Sequence, residues 1–261
     1  MTVKSAAERT KLIEAGKRLG LVLSELEKAV RPGVSTETLD DLAEKLIRDA
    51  GDEPCFLGYT PEGADRPYPA TLCVSVNDEI VHGIPNESPR TLSEGDIVGL
   101  DLGLSHEGFI VDSAITVAVG KTDKAARALM DTTRDALRLG IAAARPGNRV
   151  GDISHAIETA FKGSGFSIVK QLGGHGVGAA VHEEPFIPNF GRAGTGPLLK
   201  EGMVLALEPI ANEGKAAVAV AGDGYTYRTR DGSRSAHFEH TILIEKDETL
   251  ILTRRPGETE S

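Results

Sequence analysis

Cysteine is scarce in this sequence, with only Cys55 and Cys73 among 261 residues. Two cysteines build no disulfide framework, and no C-x-x-C pair predicts structural zinc. No apolar run approaches the roughly 18–20 residues of a membrane span, and the first residues lack the apolar core of a signal peptide. Basic residues number 29 against 39 acidic ones, and this net charge of −10 argues against a nucleic-acid surface. We therefore expect a cytoplasmic protein with no membrane span and no nucleic-acid specificity.

Length and composition indicate the class of fold. The chain is long enough for one large domain or two small ones. An apolar fraction of 40% and 30 glycines are typical of α/β and α+β proteins. The polar segment 254–261 is expected to be a frayed C-terminal tail.

Two apolar strands joined by a short polar link are predicted over residues 98–112, and each carries one carboxylate. A symmetric turn centred on His106-Glu107 would pair Asp101 with Asp112. Directly opposed residues in antiparallel strands have Cα atoms about 4.5–5.5 Å apart. Two carboxylates this close in an apolar sheet repel and are poorly solvated, so they share a proton or hold a cation. The alternative is that both point into water.

A long-range repeat organises the rest of the chain. Predicted helices over 5–30 and 122–144 each end at an Arg-Pro-Gly triplet, and each is followed by a second predicted helix. The pattern V-H-x-x-P then occurs at 81–85 and again at 181–185. The pattern L-x-E-G opens two apolar strands, which end on Asp101 and on Glu208, and a last β-run over 236–244 carries Glu239.

Four matches in the same order predict a duplicated unit. We expect two αβ halves, about 5–120 and 122–250, related by a pseudo-two-fold axis and joined through one sheet. Each half would bring one histidine and two acids to the middle of the molecule. Asp101, Asp112, Glu208 and Glu239 would then converge near the axis.

Four converging carboxylates predict bound cations. Without cations, they would cost far more than a fold's net stability of about 5–15 kcal/mol allows. Two divalent ions would neutralise them, and oxygen ligands with an imidazole suit manganese, iron, cobalt or zinc. His175, in the run Gly173–Gly178, would supply the imidazole, and its glycines would let the backbone approach the metals closely.

A pair of metals about 3.5–4 Å apart lowers the pKa of a bridging water towards 7 and polarises a carbonyl group. Hydrolysis of an amide beside a free amine is the reaction that follows. His82 and His182, at equivalent positions of the repeat, would flank the cleft. One would donate to the scissile amide and the other to the developing oxyanion.

The sequence resembles the type I methionine aminopeptidases over nearly its whole length, from the first helix to about residue 253. The segments that carry this resemblance are Phe56–Tyr59, Ser75–Pro85, the hairpin of Asp101 and Asp112, Gly174–Gly178, His182–Pro185, Glu208-Pro209 and Ser235–Thr241. The resemblance implies one catalytic domain over 1–253 with the α+β "pita-bread" fold, two αβ halves around a curved antiparallel sheet.

The resemblance also implies roles for individual residues. The implied metal ligands are Asp101, Asp112, His175, Glu208 and Glu239, with Asp112 and Glu239 bridging two divalent ions of cobalt, manganese, iron, zinc or nickel. His82 and His182 would contact the substrate, and Glu208 would accept a proton from the nucleophilic water. The implied pocket for the methionine side chain consists of Phe56, Tyr59, Tyr68, Cys73, Val181 and Tyr225.

The chain departs from the family pattern around this pocket. Ala179 stands where the family often has Arg, Val181 where it usually has Phe, and Tyr225 where it usually has Trp. The loop between Tyr59 and Tyr68 is also longer than in the shortest relatives. These differences affect substrate specificity and leave the metal ligands unchanged.

The implied activity is removal of the initiator methionine from nascent proteins when the second residue is small. The implied partners are N-terminal Met peptides and, transiently, the ribosome, and the enzyme is expected to be a monomer. Two alternatives remain at this point: a proline-specific aminopeptidase of the same fold, and a binding protein of this fold that has lost its metals. The first usually carries an extra N-terminal domain, which 261 residues cannot hold, and the filled ligand positions disfavour the second.

Overall fold

The computed structural model of the protein describes residues 1–61 and 63–258. The helices in this part of the chain are α1 (Ala6–Ala29), α2 (Thr36–Asp49), α3 (Lys124–Ala143) and α4 (Val150–Ala160). The strands are β1 (Glu53–Pro54), β2 (Cys73–Val76), β3 (Glu79–Val81), β4 (Ile97–His106), β5 (Phe109–Ala118), β6 (Ser167–Ile168), β7 (Gly173–Gly176), β8 (Glu183–Pro188), β9 (Val204–Leu207), β10 (Ile210–Asn212), β11 (Val218–Val220), β12 (Tyr227–Thr229), β13 (Ser235–His237), β14 (His240–Ile244) and β15 (Thr249–Ile251).

Three of the helices begin where a polar side chain satisfies one of their first backbone N–H groups. Ser5 accepts a hydrogen bond from the Glu8 N–H, Ser35 from Thr38 and Asp123 from Ala126. The limits of α1 and α3 lie within two residues of the predicted 5–30 and 122–144. Among the described helices, none combines the length and the apolarity needed to cross a membrane.

The predicted register of the carboxylate hairpin is wrong. Asp101 pairs with Ala114, and Asp112 pairs with Gly103. The turn residues are Glu107 and Gly108, whose φ angles are 48° and 80°. A two-residue turn with both φ angles positive matches the right-handed twist of the strands it joins, and glycine adopts this conformation without strain. Asp101 pairs with a residue two positions from the predicted partner, and side chains alternate between the two faces of a strand. Both carboxylates therefore still lie on one face of the sheet.

Two antiparallel sheets contain the strands that carry Asp101, Asp112 and His175. In the first, β4 pairs with β1, β2 and β5; in the second, the order is β15-β14-β9-β7-β8. The sheets meet where β5 runs beside the start of β14. There the Asp112 N–H donates to Thr241 Oγ1 at 2.9 Å, and the Glu239 N–H donates to the Ala114 carbonyl at 2.9 Å. The two sheets are therefore linked beside two of the predicted site carboxylates.

The β-run predicted over 236–244 is divided into two strands. β13 pairs with β10, whereas β14 pairs with β9 in the second sheet. Between them, the Phe238 N–H donates to the Pro209 carbonyl at 3.4 Å, while the Glu239 N–H turns towards β5. The chain thus passes from one sheet to another at 238–239, which puts Glu239 at the crossing.

Equivalent contacts follow the two Arg-Pro-Gly triplets. Gly33 N–H donates to the Leu92 carbonyl at 2.8 Å, and Gly147 N–H donates to the Leu199 carbonyl at 3.0 Å. Isolated bridges pair Ser35 with Thr91 and Arg149 with Leu198. These parallel contacts support the division into halves over 5–120 and 122–250, which stays a prediction, as does the single domain over 1–253.

The C-terminal segment departs from the predicted fraying as far as it is described. Glu258 Oε1 lies 3.2 Å from His240 Nε2, and the Arg255 N–H donates to Glu258 Oε2 at 3.0 Å. His240 is buried, so this contact fastens residues 254–258 to the second sheet. The remainder of the predicted tail, 259–261, lies outside the described residues.

Replacement of Gly16 tests how closely α1 packs on the chain near Leu252. A Cβ at Gly16 would collide with the backbone carbonyl of Leu252. Alanine ordinarily stabilises a helix interior by roughly 0.5–1 kcal/mol over glycine. We expect Gly16→Ala instead to lower the free energy of unfolding by about 1–3 kcal/mol, since a packed backbone cannot move aside cheaply.

Urea unfolding followed by circular dichroism measures this difference. Lys17→Ala is the control, because Lys17 is exposed on the same helix. Equal or greater stability of Gly16→Ala than of the unmodified protein would show that the contact is loose.

Candidate active site

A cavity of about 100 Å³ lies between the carboxylate hairpin and the second sheet. Every site residue predicted from the sequence lines it: Phe56, Tyr59, Tyr68, Cys73, His82, Asp101, Asp112, His175, Val181, His182, Glu208, Tyr225 and Glu239. Pro61, Val81 and His237 line it as well. Residues from the first and the second part of the sequence therefore meet in one place.

The four carboxylates reach the cavity from four different strand positions. Asp101 lies on β4 and Asp112 on β5, while Glu208 follows β9 directly and Glu239 directly precedes β14. Burial raises the pKa of Asp112 from 3.8 to about 7. Burial, and then the charges of the other carboxylates, hold the pKa values of the remaining three well above their ordinary range.

Several buried polar atoms at this point have no hydrogen-bond partner within the described residues. They are Asp101 Oδ1, Asp112 Oδ1, Glu239 Oε1 and His237 Nε2. One ligand atom each of Asp112, His175 and Glu239 lie within 4.8 Å of one another. An unsatisfied buried acceptor costs roughly 1–3 kcal/mol, more when charged. Divalent cations would satisfy the three carboxylate oxygens among these atoms, so the residues present fit a metal site.

His175 is oriented for metal binding. Its Nδ1 donates to the Gly176 carbonyl at 2.9 Å, which leaves the Nε2 lone pair free, 3.6 Å from Glu208 Oε1. Such a bond from the second ring nitrogen is what fixes the tautomer of metal-binding histidines. Burial lowers the pKa of His175 to about 4, so the ring is neutral at pH 7.

The glycines around His175 are required by the packing of the strands. A Cβ on Gly173 would lie 2.6 Å from the Ile187 carbonyl oxygen, and one on Gly174 or Gly176 would collide with the backbone of β9 or β8. These glycines therefore let β7 fit between its two neighbouring strands.

His82, in the first V-H-x-x-P pattern, and His182, in the second, face the same cavity. His82 follows β3 with a φ of 58°, a left-handed conformation that is strained for a non-glycine residue. The His182 ring centre lies 4.5 Å from that of His175, and its Nδ1 is 2.9 Å from the Tyr59 hydroxyl. Burial lowers the pKa of His82 to about 4, and partial loss of solvation inside the cavity lowers the pKa of His182.

His237 is a cavity residue that the sequence interpretation missed. Its Nε2 lies 3.5 Å from Glu208 Oε2 and 4.0 Å from Glu239 Oε2. Burial lowers the pKa of His237 to about 3. Its spacing could have identified it. Side chains two residues apart in an extended chain point to the same side, and Glu239 lies two residues after His237.

The apolar side of the cavity consists of aromatic and sulfur-containing side chains. Tyr68 and Tyr225 pack edge to face with ring centres 5.2 Å apart, and the Tyr68 hydroxyl donates to the Gly83 carbonyl at 2.9 Å. Cys73 pairs with Asp101 across β2 and β4. Burial raises the pKa of the Cys73 thiol well above its ordinary value, so the thiol stays neutral and acts as an apolar wall.

The family model of metallopeptidase family M24 matches residues 10–246. The chain belongs to this family. It is 44% identical to a methionine aminopeptidase of Aquifex aeolicus over 253 residues, which cover 95% of this chain and 97% of that protein. The crystal structure of methionine aminopeptidase from Thermotoga maritima matches with a TM-score of 0.92 and 41% identity, covering 98% of this chain and all of the other.

These comparisons confirm the predicted resemblance, the pita-bread fold and the predicted enzyme class. This member of family M24 is a metal-dependent aminopeptidase that removes an N-terminal methionine. Its family uses divalent metal. A prolidase of Pyrococcus horikoshii matches with a TM-score of 0.74 at 20% identity, covering 98% of this chain and 65% of the prolidase. At that identity the prolidase shows only that the fold is shared.

The raised carboxyl pKa values predict that metal-free protein loses stability as the pH rises from about 6.5 to 7.5. The pKa of Asp112 is about 7 when folded and 3.8 ordinarily, so the folded state holds a proton that the unfolded state has lost. Stability falls with pH wherever the folded state binds more protons, by up to about 1.4 kcal/mol per pH unit for each group. The buried histidines oppose this trend below about pH 6.5, where only the unfolded state protonates them.

Denaturant unfolding of chelator-treated protein at pH 6.5, 7.0 and 7.5 measures this slope. Asp112→Asn should reduce it, because the amide does not titrate. Added divalent metal should stabilise the unmodified protein most at pH 7.5, since metal displaces the bound protons. A metal-free stability that stays level or rises over this range would contradict the prediction.

Proposed function

We propose that this aminopeptidase removes the initiator methionine from nascent proteins whose second residue is small, using two divalent ions. The residues that would hold these ions are Asp101, Asp112, His175, Glu208 and Glu239. The unsatisfied carboxylate oxygens, which converge with the free Nε2 of His175, are the observation that carries this proposal. Oxygen and imidazole donors suit cobalt, manganese, iron, zinc or nickel.

A pair of divalent ions supplies two things to amide hydrolysis, a water of lowered pKa and polarisation of the scissile carbonyl. The chain supplies the proton transfers and the orientation. Glu208, which lies partly buried between His175 and His237, is proposed to accept the proton of the attacking water. His82 and His182 are neutral at pH 7 and are proposed to donate N–H hydrogen bonds to the scissile amide and to its developing oxyanion.

The apolar wall is proposed to receive the methionine side chain. It consists of Phe56, Tyr59, Tyr68, Cys73, Val181 and Tyr225. A thioether makes favourable contacts with aromatic rings, about 0.3–1.5 kcal/mol each, which favours methionine over an aliphatic side chain of the same size.

The remaining proposals concern the cellular setting. We propose that the enzyme is a cytoplasmic monomer that contacts the ribosome transiently. The two cysteines are unpaired, which is consistent with a reducing compartment. Sedimentation of the purified protein, alone and with ribosomes, tests both the monomer and the contact.

Peptide hydrolysis by the metal-loaded protein tests the proposed substrate. We expect release of methionine from Met-Ala-Ser, slower release from Met-Glu-Ser, and no cleavage of an Xaa-Pro peptide. Faster cleavage of the Xaa-Pro peptide would favour a proline-specific enzyme. Cleavage of none of the three by protein with bound metal would favour a binding protein.

Replacement of Asp112 tests its proposed role as a metal ligand. Asp112→Ala should abolish metal uptake and hydrolysis of Met-Ala-Ser together, because it removes a carboxylate that would hold the metal. Titration calorimetry measures the uptake. Asp131→Ala, on the exposed face of α3, is the matched control and should change neither. Retained activity of Asp112→Ala would rule out that role.

A further inference from the structure

The loop that begins after Tyr59 and ends at Tyr68 is closed at its base. The Tyr68 N–H donates to the Tyr59 carbonyl at 2.8 Å, and the Gly58 N–H donates to the Tyr68 carbonyl at 2.9 Å. Both tyrosines line the cavity, Tyr59 beside His182 and Tyr68 against Tyr225. The position of this loop therefore bears directly on the wall of the cavity. Glu62, within the loop, lies outside the described residues.

Arg66 fastens the loop to two other segments. Its guanidinium forms a two-pronged ion pair with Glu87, in which Nη2 lies 2.8 Å from Oε2, and Nη2 also donates to the Asp223 carbonyl at 3.2 Å. In return, the Tyr225 hydroxyl donates to the Arg66 carbonyl. The guanidinium carbon lies 6.0 Å from the centre of the Tyr225 ring. We name these four residues, Arg66, Glu87, Asp223 and Tyr225, the Arg66 clamp.

Asp223 extends the clamp to the backbone of His82. Its Oδ1 accepts the N–H groups of Tyr225 at 2.8 Å and Thr226 at 2.9 Å, which fixes the turn that presents the Tyr225 ring. The Thr226 hydroxyl lies 2.7 Å from Asp223 Oδ2 and 3.3 Å from the His82 carbonyl oxygen. The clamp thus holds Tyr225 from both ends, at its hydroxyl through the Arg66 carbonyl and at its backbone through Asp223.

We propose that Arg66 is a positioning residue that sets substrate specificity by holding the Tyr225 ring as the wall that limits the size of the first side chain. This inference rests on the proposed function. Tyr225 is 7% exposed, whereas the Arg66 and Glu87 side chains are 39% and 40% exposed. An ion pair this exposed adds little to global stability. Its effect is local, because it limits where a cavity-lining ring can sit.

Kinetics of Arg66→Ala in the metal-loaded full chain tests this role. We expect the KM for Met-Ala-Ser to rise about fivefold with kcat changed less than about twofold, since binding is loosened while the reacting groups stay in place. The preference for Met-Ala-Ser over Phe-Ala-Ser should fall about tenfold, because a displaced wall admits the larger ring. Arg66→Lys should restore part of the preference, because one ammonium replaces only one prong of the ion pair.

Arg138→Ala is the matched control, since Arg138 forms an exposed ion pair with Asp135 on α3. It should leave KM and selectivity unchanged. Thermal unfolding should be similar for Arg66→Ala and the control. A large loss of thermal stability confined to Arg66→Ala, with no change in selectivity, would mean that Arg66 only stabilises the fold.

Tyrosine emission supplies a second readout that needs no turnover. The chain has no tryptophan and four tyrosines, of which Tyr59, Tyr68 and Tyr225 line the cavity. The fourth, Tyr227, packs edge on against His82 with ring centres 5.7 Å apart. Titration with free L-methionine should therefore change the emission of the unmodified protein, and Arg66→Ala should raise the apparent Kd by about the same factor as KM.

The two readouts separate the inference from the proposed function. Unmodified protein that does not cleave Met-Ala-Ser would count against the proposed function, while the L-methionine titration still tests Arg66. Unchanged KM, selectivity and L-methionine affinity in Arg66→Ala would overturn the inference. Absence of any L-methionine response in the unmodified protein would also overturn it.

Discussion

The arrangement of this protein depends on four acidic side chains brought together in a cavity where burial leaves them poorly solvated. Asp101, Asp112, Glu208 and Glu239 come from two sheets, and their mutual repulsion adds to the cost of burial. Hydrogen bonds between Asp112 and Thr241 and between Ser113 and Glu239 fasten the two sheets beside these acids. The fold therefore supplies the rigidity that keeps the acids together, and positive charge from outside the chain is needed to balance them.

The surrounding histidines differ from the acids because burial keeps them neutral. His82, His175 and His237 have pKa values of about 3 to 4, so each presents a lone pair and an N–H group at pH 7. A neutral imidazole can bind a cation or donate a hydrogen bond without adding charge to the site. The aromatic wall on the other side of the cavity adds apolar contact, and the Arg66 clamp connects that wall to the surface loops.

The hairpin, the last β-run and His237 show why some parts of this structure could be predicted from the sequence and others could not. The carboxylate hairpin was recognisable from two apolar runs joined by a short polar link, and the register error of two residues kept both acids on one face. The division of the last β-run at 238–239 was not recognisable, because Ala236–Ile244 is continuously compatible with a strand. Only hydrogen bonds to Pro209 and Ala114, distant in sequence, divide it. His237 was missed although its spacing from Glu239 was a signal, and its closeness to Glu208 depends on how β13 packs.

The sequence by itself determined the family and most of the residues that line the cavity, because motif spacing and the resemblance to the family identify them. The tertiary structure alone decided the register of the hairpin, the purpose of the glycines around His175 and the Arg66 clamp. Arg66 and Asp223 are 157 positions apart, and no local pattern links them. Contacts of this kind form only when the loops around the cavity are packed together, so the shape of the cavity wall is a property of the folded chain.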